Sequence, residues 1–276
     1  MATQSTSFPI TSSSVSTEIL LPALTLWWRE IVRFYRQKAR VVGVIASPLV
    51  FWVVIGSGFG SSFRSSGGTS SGQQYLSYFY PGALIMIVLF TSIFTMMSVI
   101  EDRKEGFLLS VLVAPVSRSA IVLGKVLGGT TLATIQGLIF LAFAPLVGVH
   151  MGIVDFLLIV LTIFLVSFAL TALGFAIAWP MDSTQAFHGI INLFLIPLWL
   201  LSGAMFPLAG ASGWMRLLMR INPLTYGVEA LRILLYPGSP AVAPLASSLA
   251  TLLLFTLIMF SLSFIMVNRR STKPAA

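Results

Sequence analysis

Residues 80–106 read YPGALIMIVLFTSIFTMMSVI and then EDRKEG. The first 21 residues hold no Asp, Glu, Lys or Arg, and the next five positions are all charged. A charged side chain is costly at the centre of a bilayer, so a charge-free run that stops at a charged cluster marks a crossing and its end. An α-helix rises 1.5 Å per residue, and about 20 residues cover the roughly 30 Å hydrocarbon core. Residues 80–100 therefore predict one transmembrane helix. The cluster from Glu101 to Glu105 predicts its emergence into water.

The same rule applied outward finds five further charge-free stretches, within 41–63, 126–154, 156–181, 183–215 and 233–268. Six spans are predicted near 41–60, 80–100, 126–147, 156–178, 185–205 and 245–267. The fold class is an all-α membrane protein. A transmembrane β-barrel would alternate polar and apolar residues along strands of about ten, and these runs are apolar throughout. Composition agrees: 57% of the chain is hydrophobic and 9% charged, against about 25% charged in ordinary soluble domains. With no cysteine in the sequence, disulfides, thiol catalysis and zinc–thiolate sites are excluded.

Lys and Arg give the orientation. With the N-terminus inside, Arg29, Arg33, Arg36, Lys38, Arg40, Arg103, Lys104, Arg118, Lys125, Arg269, Arg270 and Lys273 lie on the inner side. Only Arg64, Arg216, Arg220 and Arg232 lie outside. The asymmetry predicts two cytoplasmic termini. It also accounts for the net charge of +8 without nucleic acid, since basic flanks meet anionic lipid. Residues 1–17 are rich in Ser and Thr and predict a disordered cytoplasmic tail; 18–270 form the membrane domain, and 271–276 a second tail.

Three segments are predicted to be helical without spanning. Over 22–39, Leu24, Trp28, Ile31 and Tyr35 share one helical face, and Arg29, Arg33, Arg36 and Arg40 another, as in an amphipathic helix lying in the inner interface. Between the last two spans, Phe206–Pro240 predicts two short helices at the outer leaflet, divided at Asn222-Pro223 because proline disfavours helix at the residue before it. Glu229 and Arg232, three apart on the second, can pair. The third segment follows span two. Gly106 permits a sharp turn, Phe107 to Ala114 predicts a short apolar helix, and Pro115 and Arg118 follow. From the residues alone this loop is either a docking surface or a solvated basic flank.

No phosphate-binding loop is present: Gly124-Lys125 is followed by Val126, and no glycine stands five residues before Gly124. The chain is thus expected not to hydrolyse ATP by that chemistry, and no catalytic residue or metal site is predicted. Apart from His188, the predicted span interiors carry no ionisable group of the kind that proton coupling needs. Span two instead offers Phe90, Phe94 and Met97 at helical spacing, and span five Asn192, Ile196 and Trp199. Facing one another across a dimer, these would line an apolar path suited to an amphiphile; as single positions they fit lipid contact or helix packing equally well. A passive channel would show a polar pore stripe. An intramembrane lipid enzyme would need a nucleophile and base, or a metal cluster, at membrane depth. Neither pattern is found, and His150 and His188 sit at opposite ends of their spans.

The loop and the outer segment together resemble the type-2 family of ABC export permeases, the membrane subunits of bacterial drug, polysaccharide and lipo-oligosaccharide exporters. The loop pattern falls on Glu101 or Asp102, Glu105, Gly106, Leu112, Pro115, Arg118, Gly124 and Lys125. Phe107 stands where that family commonly has Thr. The outer pattern falls on Asn222, Pro223, Leu224, Thr225 and Tyr226, followed by Glu229 and Arg232. The resemblance covers about 25–270. It implies a homodimer, or a pair with a similar permease, in the bacterial inner (plasma) membrane, bound to two copies of a separate subunit that carries ATP and Mg²⁺. It also implies that the loop after span two holds a coupling helix, and that spans two and five line the path of an exported drug-like product, lipid or glycolipid.

Overall fold

A computed structural model describes residues 15–62, 71–114, 116–239 and 243–268. Eleven α-helices lie in these residues: α1 (Val15–Arg36), α2 (Lys38–Ser62), α3 (Ser71–Thr95), α4 (Met97–Lys104), α5 (Phe107–Val113), α6 (Arg118–Leu141), α7 (Ile153–Ala178), α8 (Thr184–Leu200), α9 (Gly213–Ile221), α10 (Pro223–Leu235) and α11 (Leu245–Asn268). Among the described residues there is no strand. Among the described residues, four segments are long and apolar enough to cross a membrane: Tyr75–Lys104, Arg118–Leu141, Ile153–Ala178 and Leu245–Asn268. The apolar helix α8 has 17 residues.

The long helices alternate between two ends. Tyr80, near the start of α3, donates from its hydroxyl to Phe140 O near the end of α6 at 2.8 Å, so these helices run antiparallel. Thr256 and Ser263 of α11 donate to Leu165 O and Ala172 O of α7. Both pairs are offset by the same number of residues, so α11 runs parallel to α7. Arg118, opening α6, donates to Val267 O near the end of α11 at 3.3 Å. One end of the bundle thus gathers the end of α4, the start of α6 and the ends of α7 and α11.

Helix α3 is the central element. Tyr80, Leu84, Ile85, Val88, Leu89 and Ile93 are fully enclosed. Small residues let its neighbours approach closely: a Cβ on Gly129 of α6 would meet Thr171 of α7 at 2.6 Å and Thr95 of α3 at 2.7 Å. This is how membrane helices associate when apolar burial gives no preference between lipid and protein. Some polar side chains inside pair with one another, as where Thr91 donates to Gln136 Oε1 at 2.7 Å. The outward faces of α7 and α11 carry Ile153, Leu157, Phe164, Leu254, Leu257 and Ile265, all exposed. Such faces need an apolar solvent.

Several boundaries differ from those predicted. The interfacial helix begins at Val15, not 22, and ends at Arg36. The helix placed at 126–147 begins at Arg118 and ends at Leu141, followed by a 3-10 turn over Ala144–Val147. The region 101–125 is therefore not one loop. Glu101 to Lys104 complete α4, and Arg118 and Lys125 belong to α6. The helix placed at 185–205 stops at Leu200. Residues 1–14, Pro115 and 269–276 lie outside the described residues, and with them most of the predicted N-terminal tail, the C-terminal tail and the predicted stop after the coupling helix.

Candidate functional site

The charged end is built on α1, α4 and α6. Helix α1 lies along α6, seated on Gly124 and Gly128: a Cβ at Gly124 would meet Leu26 Cβ at 2.6 Å and Ala23 O at 2.7 Å, and one at Gly128 would meet Glu30 Cβ at 2.7 Å. Trp27 Nε1 donates to Thr131 Oγ1 at 3.0 Å. Leu24, Trp28 and Tyr35 remain exposed on the opposite face of α1, the arrangement expected of a helix with lipid on one side and protein on the other.

The protein-facing side of α1 carries charge into the interior. Lys125 is only 1% exposed. Its ammonium group donates to Glu30 Oε1 at 2.6 Å, to Ser98 Oγ at 3.1 Å and to Asp102 Oδ2. Ser98 in turn donates to Glu30 Oε2 at 2.7 Å. Asp102, fully enclosed, also takes both arms of the Arg29 guanidinium, at 2.9 and 2.7 Å, and one arm of Arg33 at 2.6 Å. The other arm of Arg33 reaches Glu101 at 2.8 Å and lies 3.6 Å from Glu105. The hydrogen bond to Asp102 raises the pKa of the Arg29 guanidinium above its ordinary value.

Three buried or half-buried cations thus meet four carboxylates, and the low dielectric that makes unpaired charge costly makes this pairing specific. Acidic groups near the end of α4 would oppose the helix dipole; Arg29 and Arg33 offset them.

Helix α5 projects from this platform. Gly106 adopts a left-handed conformation, φ 76°, which glycine tolerates at no steric cost, and the chain turns sharply out of α4. Arg29 lies 3.7 Å above the Phe107 ring. Leu108 is buried with Leu26 and Ile121, against Val111 and Trp179. Leu109, Leu112 and Val113 face outward, Val113 with 87% of its surface open. Glu105 is exposed beside the turn. Arg103 leaves α4 in another direction: its guanidinium donates to Met181 O at 3.0 Å, to Asp182 Oδ1 at 3.0 Å and to Trp179 O.

The outer-segment residues form a second cluster at the other end of the bundle. Asn222 caps α10 by accepting from Leu224 N at 3.0 Å and donates to Leu198 O at 2.6 Å. Pro223 occupies the first position of α10, where its missing N–H costs nothing. Tyr226 donates to Arg220 O at 2.9 Å. Glu229 and Arg232 pair at 3.4 Å, both buried. Arg232 also donates to Gly203 O at 2.9 Å and lies 4.4 Å over the Tyr78 ring. This cluster ties α9, α10 and the end of α8 to the start of α3.

The six path candidates do not form one surface. Phe90 and Phe94 stack on each other at 5.7 Å, and Phe94 meets His188 at 5.3 Å. Those two and Met97 pack partly buried against the core. Asn192 and Ile196 are exposed. Trp199 points into the chain's own core, where Nε1 donates to Gly82 O at 2.8 Å; it faces α3 and not an open side.

Sequence reasoning missed Glu30 and Ser98; it placed Arg29 and Arg33 on the polar face of an amphipathic helix and Lys125 in the family's loop pattern, without foreseeing that these charges pair. The available signal was Lys125 itself. A lysine between Gly124 and Gly128, in an otherwise apolar helix, needs a buried acid, and Glu30 stands between the arginines of α1.

Residues 23–236 match the family model described as ABC-2 type transporter. That is more than half of the chain, which belongs to this family of membrane permeases. Curated relatives span its length. A putative transport permease, ycf38, of Cyanophora paradoxa is 27% identical over 93% of this chain and 84% of its own. The daunorubicin resistance ABC transporter permease protein DrrB1 of Streptomyces coeruleorubidus is 25% identical over 77% of this chain and 74% of its own. Nodulation protein J of Rhizobium meliloti (strain 1021) is 24% identical over 90% of this chain and 93% of its own.

Proposed function

We propose that this chain is the permease subunit of an ATP-driven exporter in a bacterial inner membrane. It crosses the membrane six times, with both termini in the cytoplasm, and pairs with a second copy or a similar permease. It moves an amphiphile outward: a drug-like product, a lipid or a glycolipid. A relative named for daunorubicin resistance supports the drug-like class. Two copies of a separate subunit bind ATP and Mg²⁺ and supply the energy. The chain itself is a transport subunit and performs no catalysis.

The observation that carries this reading is the form of α5. Leu109, Leu112 and Val113 make an apolar ridge open to solvent at the charged end, while the helix behind them is fixed by buried Leu108 and by Phe107 under Arg29, itself held by Asp102. A short helix that is rigid at its base and apolar at its tip suits a partner groove. Movement of that partner would pass through Gly106 into α4 and through Arg118 into α6. Cargo would then pass along the sides of α3 and α8 that carry Phe90, Phe94, Asn192 and Ile196.

Co-expression with a candidate ATP-binding subunit tests the reading. The unaltered chain is expected to co-purify with that protein, and the complex to export cargo in step with hydrolysis. Leu109→Asp with Val113→Asp should abolish co-purification while membrane insertion stays normal. Full retention of the ATP-binding protein by the double variant would mean that α5 is not its docking helix.

A further inference from the structure

We propose that Arg103 is a positioning residue that links α5 to α8 by clamping the turn between α7 and α8. The proposal rests on the reading of α5 as the docking helix and extends it to an element that the loop after span two does not touch in sequence.

Arg103 lies in the last turn of α4, three residues before Gly106. Its planar guanidinium fans over Trp179 O, Met181 O and Asp182 Oδ1, and its carbon centre lies 5.5 Å from the centroid of the Trp179 ring. Trp179 and Met181 sit where α7 has ended and its last carbonyls have lost their helical partners; a fixed fork of donors satisfies such groups and complements the negative end of the helix dipole. Asp182 is largely exposed, at 85% of its side chain. A solvated ion pair contributes little, so the two carbonyls and the ring carry the hold.

The same turn is gripped a second time, by apolar contact. The Trp179 ring packs against the cluster of Leu26, Leu108 and Ile121, which is the base of α5. It also stacks on Phe175 within α7, at 5.5 Å between centroids. Residues 179–183 are therefore joined to the cluster at the base of α5 through Trp179 and to α4 through Arg103. Helix α8 opens one residue later, at Thr184, with Ser183 as its N-cap. A rigid displacement of α5 then moves the start of α8 as well as the ends of α4 and α6. Without Arg103 the turn keeps only its apolar contact, and α8 follows less faithfully. Lysine offers a point charge in place of a planar fork and cannot span the three acceptors in the same way.

Because the sequence has no cysteine, Ser110→Cys on α5 and Gln185→Cys on α8 give a unique pair of spin-label sites, measured with unlabelled chain in excess. In the chain alone, without the ATP-binding subunit, the labels should report one narrow distance. Arg103→Gln should broaden it and Arg103→Lys should broaden it less. In the complete complex, Arg103→Gln should bind the ATP-binding subunit normally and hydrolyse ATP. Cargo exported per ATP should fall about tenfold, the scale of one lost charged hydrogen bond, with a smaller fall for Arg103→Lys. An unchanged label distance in Arg103→Gln, or unchanged cargo per ATP in a chain that inserts normally, would overturn the clamp. Failure of the docking reading shows elsewhere, as retained binding in the Leu109→Asp, Val113→Asp chain. The label distance measured without the ATP-binding subunit decides the clamp in that case too.

Discussion

At the residue scale, Lys125 governs how the charged end is held. It sits seven residues into α6, about 10 Å along the axis from Arg118, and donates to groups on both α1 and α4. Removing one partner of a buried ion pair leaves an uncompensated charge and costs about 3–5 kcal/mol, whereas replacing the pair as a unit can be nearly neutral. Lys125→Met leaves Asp102 with Arg29 and Arg33, but leaves Glu30 only Arg29 at 3.4 Å and the Ser98 hydroxyl. Glu30 is therefore the group that suffers. Lys125→Met should lower stability by about 3 kcal/mol, and combining it with Glu30→Gln should recover part of that loss. Thermal unfolding of the detergent-solubilised single and double variants checks this. Simple additivity of the two single effects would show that Lys125 and Glu30 do not act as a unit.

At the scale of elements, the chain's helical nature and its sharp turn at Gly106 were legible because each has a local cause: apolar length in one case, a missing Cβ in the other. The start of α6 was not legible, for a specific reason. In sequence a charge marks a helix end, and Lys125 is a charge that the bundle encloses; its partners come from Glu30 and Asp102, far away in sequence. The inward side of Trp199 was not legible for a similar reason. Its spacing placed it on a helix, but only the approach of Gly82 shows which side is inward. Close approach also fixes how α1 is seated. A methyl group at Gly124 would strike the backbone of Ala23 as well as Leu26, and backbone cannot step aside. Gly124→Ala should destabilise the protein by about 1–3 kcal/mol, the usual range for overpacking. A control lies in α2: nothing stands within 4 Å of a Cβ at Gly43, and Gly43→Ala should be neutral or stabilising by up to about 1 kcal/mol. Equal unfolding temperatures for both variants would mean that α1 does not rest on α6 as described.

At the scale of the molecule, α8 decides the topology. With 17 residues it extends roughly 25 Å, at the lower limit for a span, so its length alone does not decide whether it crosses. Its two attachments do. The turn before α8 is held by Arg103 at the end of α4. Near its other end, Trp199 donates to Gly82 in the first part of α3. Arg103 and Gly82 are 21 residues apart along α3 and α4, roughly 30 Å at helical rise, with one interruption at Met96. Helix α8 therefore travels from one level of the bundle to another about a hydrocarbon core away, and does not fold back at half depth. Helix α11 then runs parallel to α7, and its last turn returns to Arg118 at the charged end. The Lys and Arg asymmetry predicts that this end faces the cytoplasm. A reporter fused after Gly238 should accordingly signal outside, and one at Ala276 inside. If α8 failed to cross, every later segment would invert: Gly238 would report inside, and Ala276, after one more crossing by α11, outside. That pair of signals would refute six spans, while the buried contacts of Lys125 and Asp102 would stand.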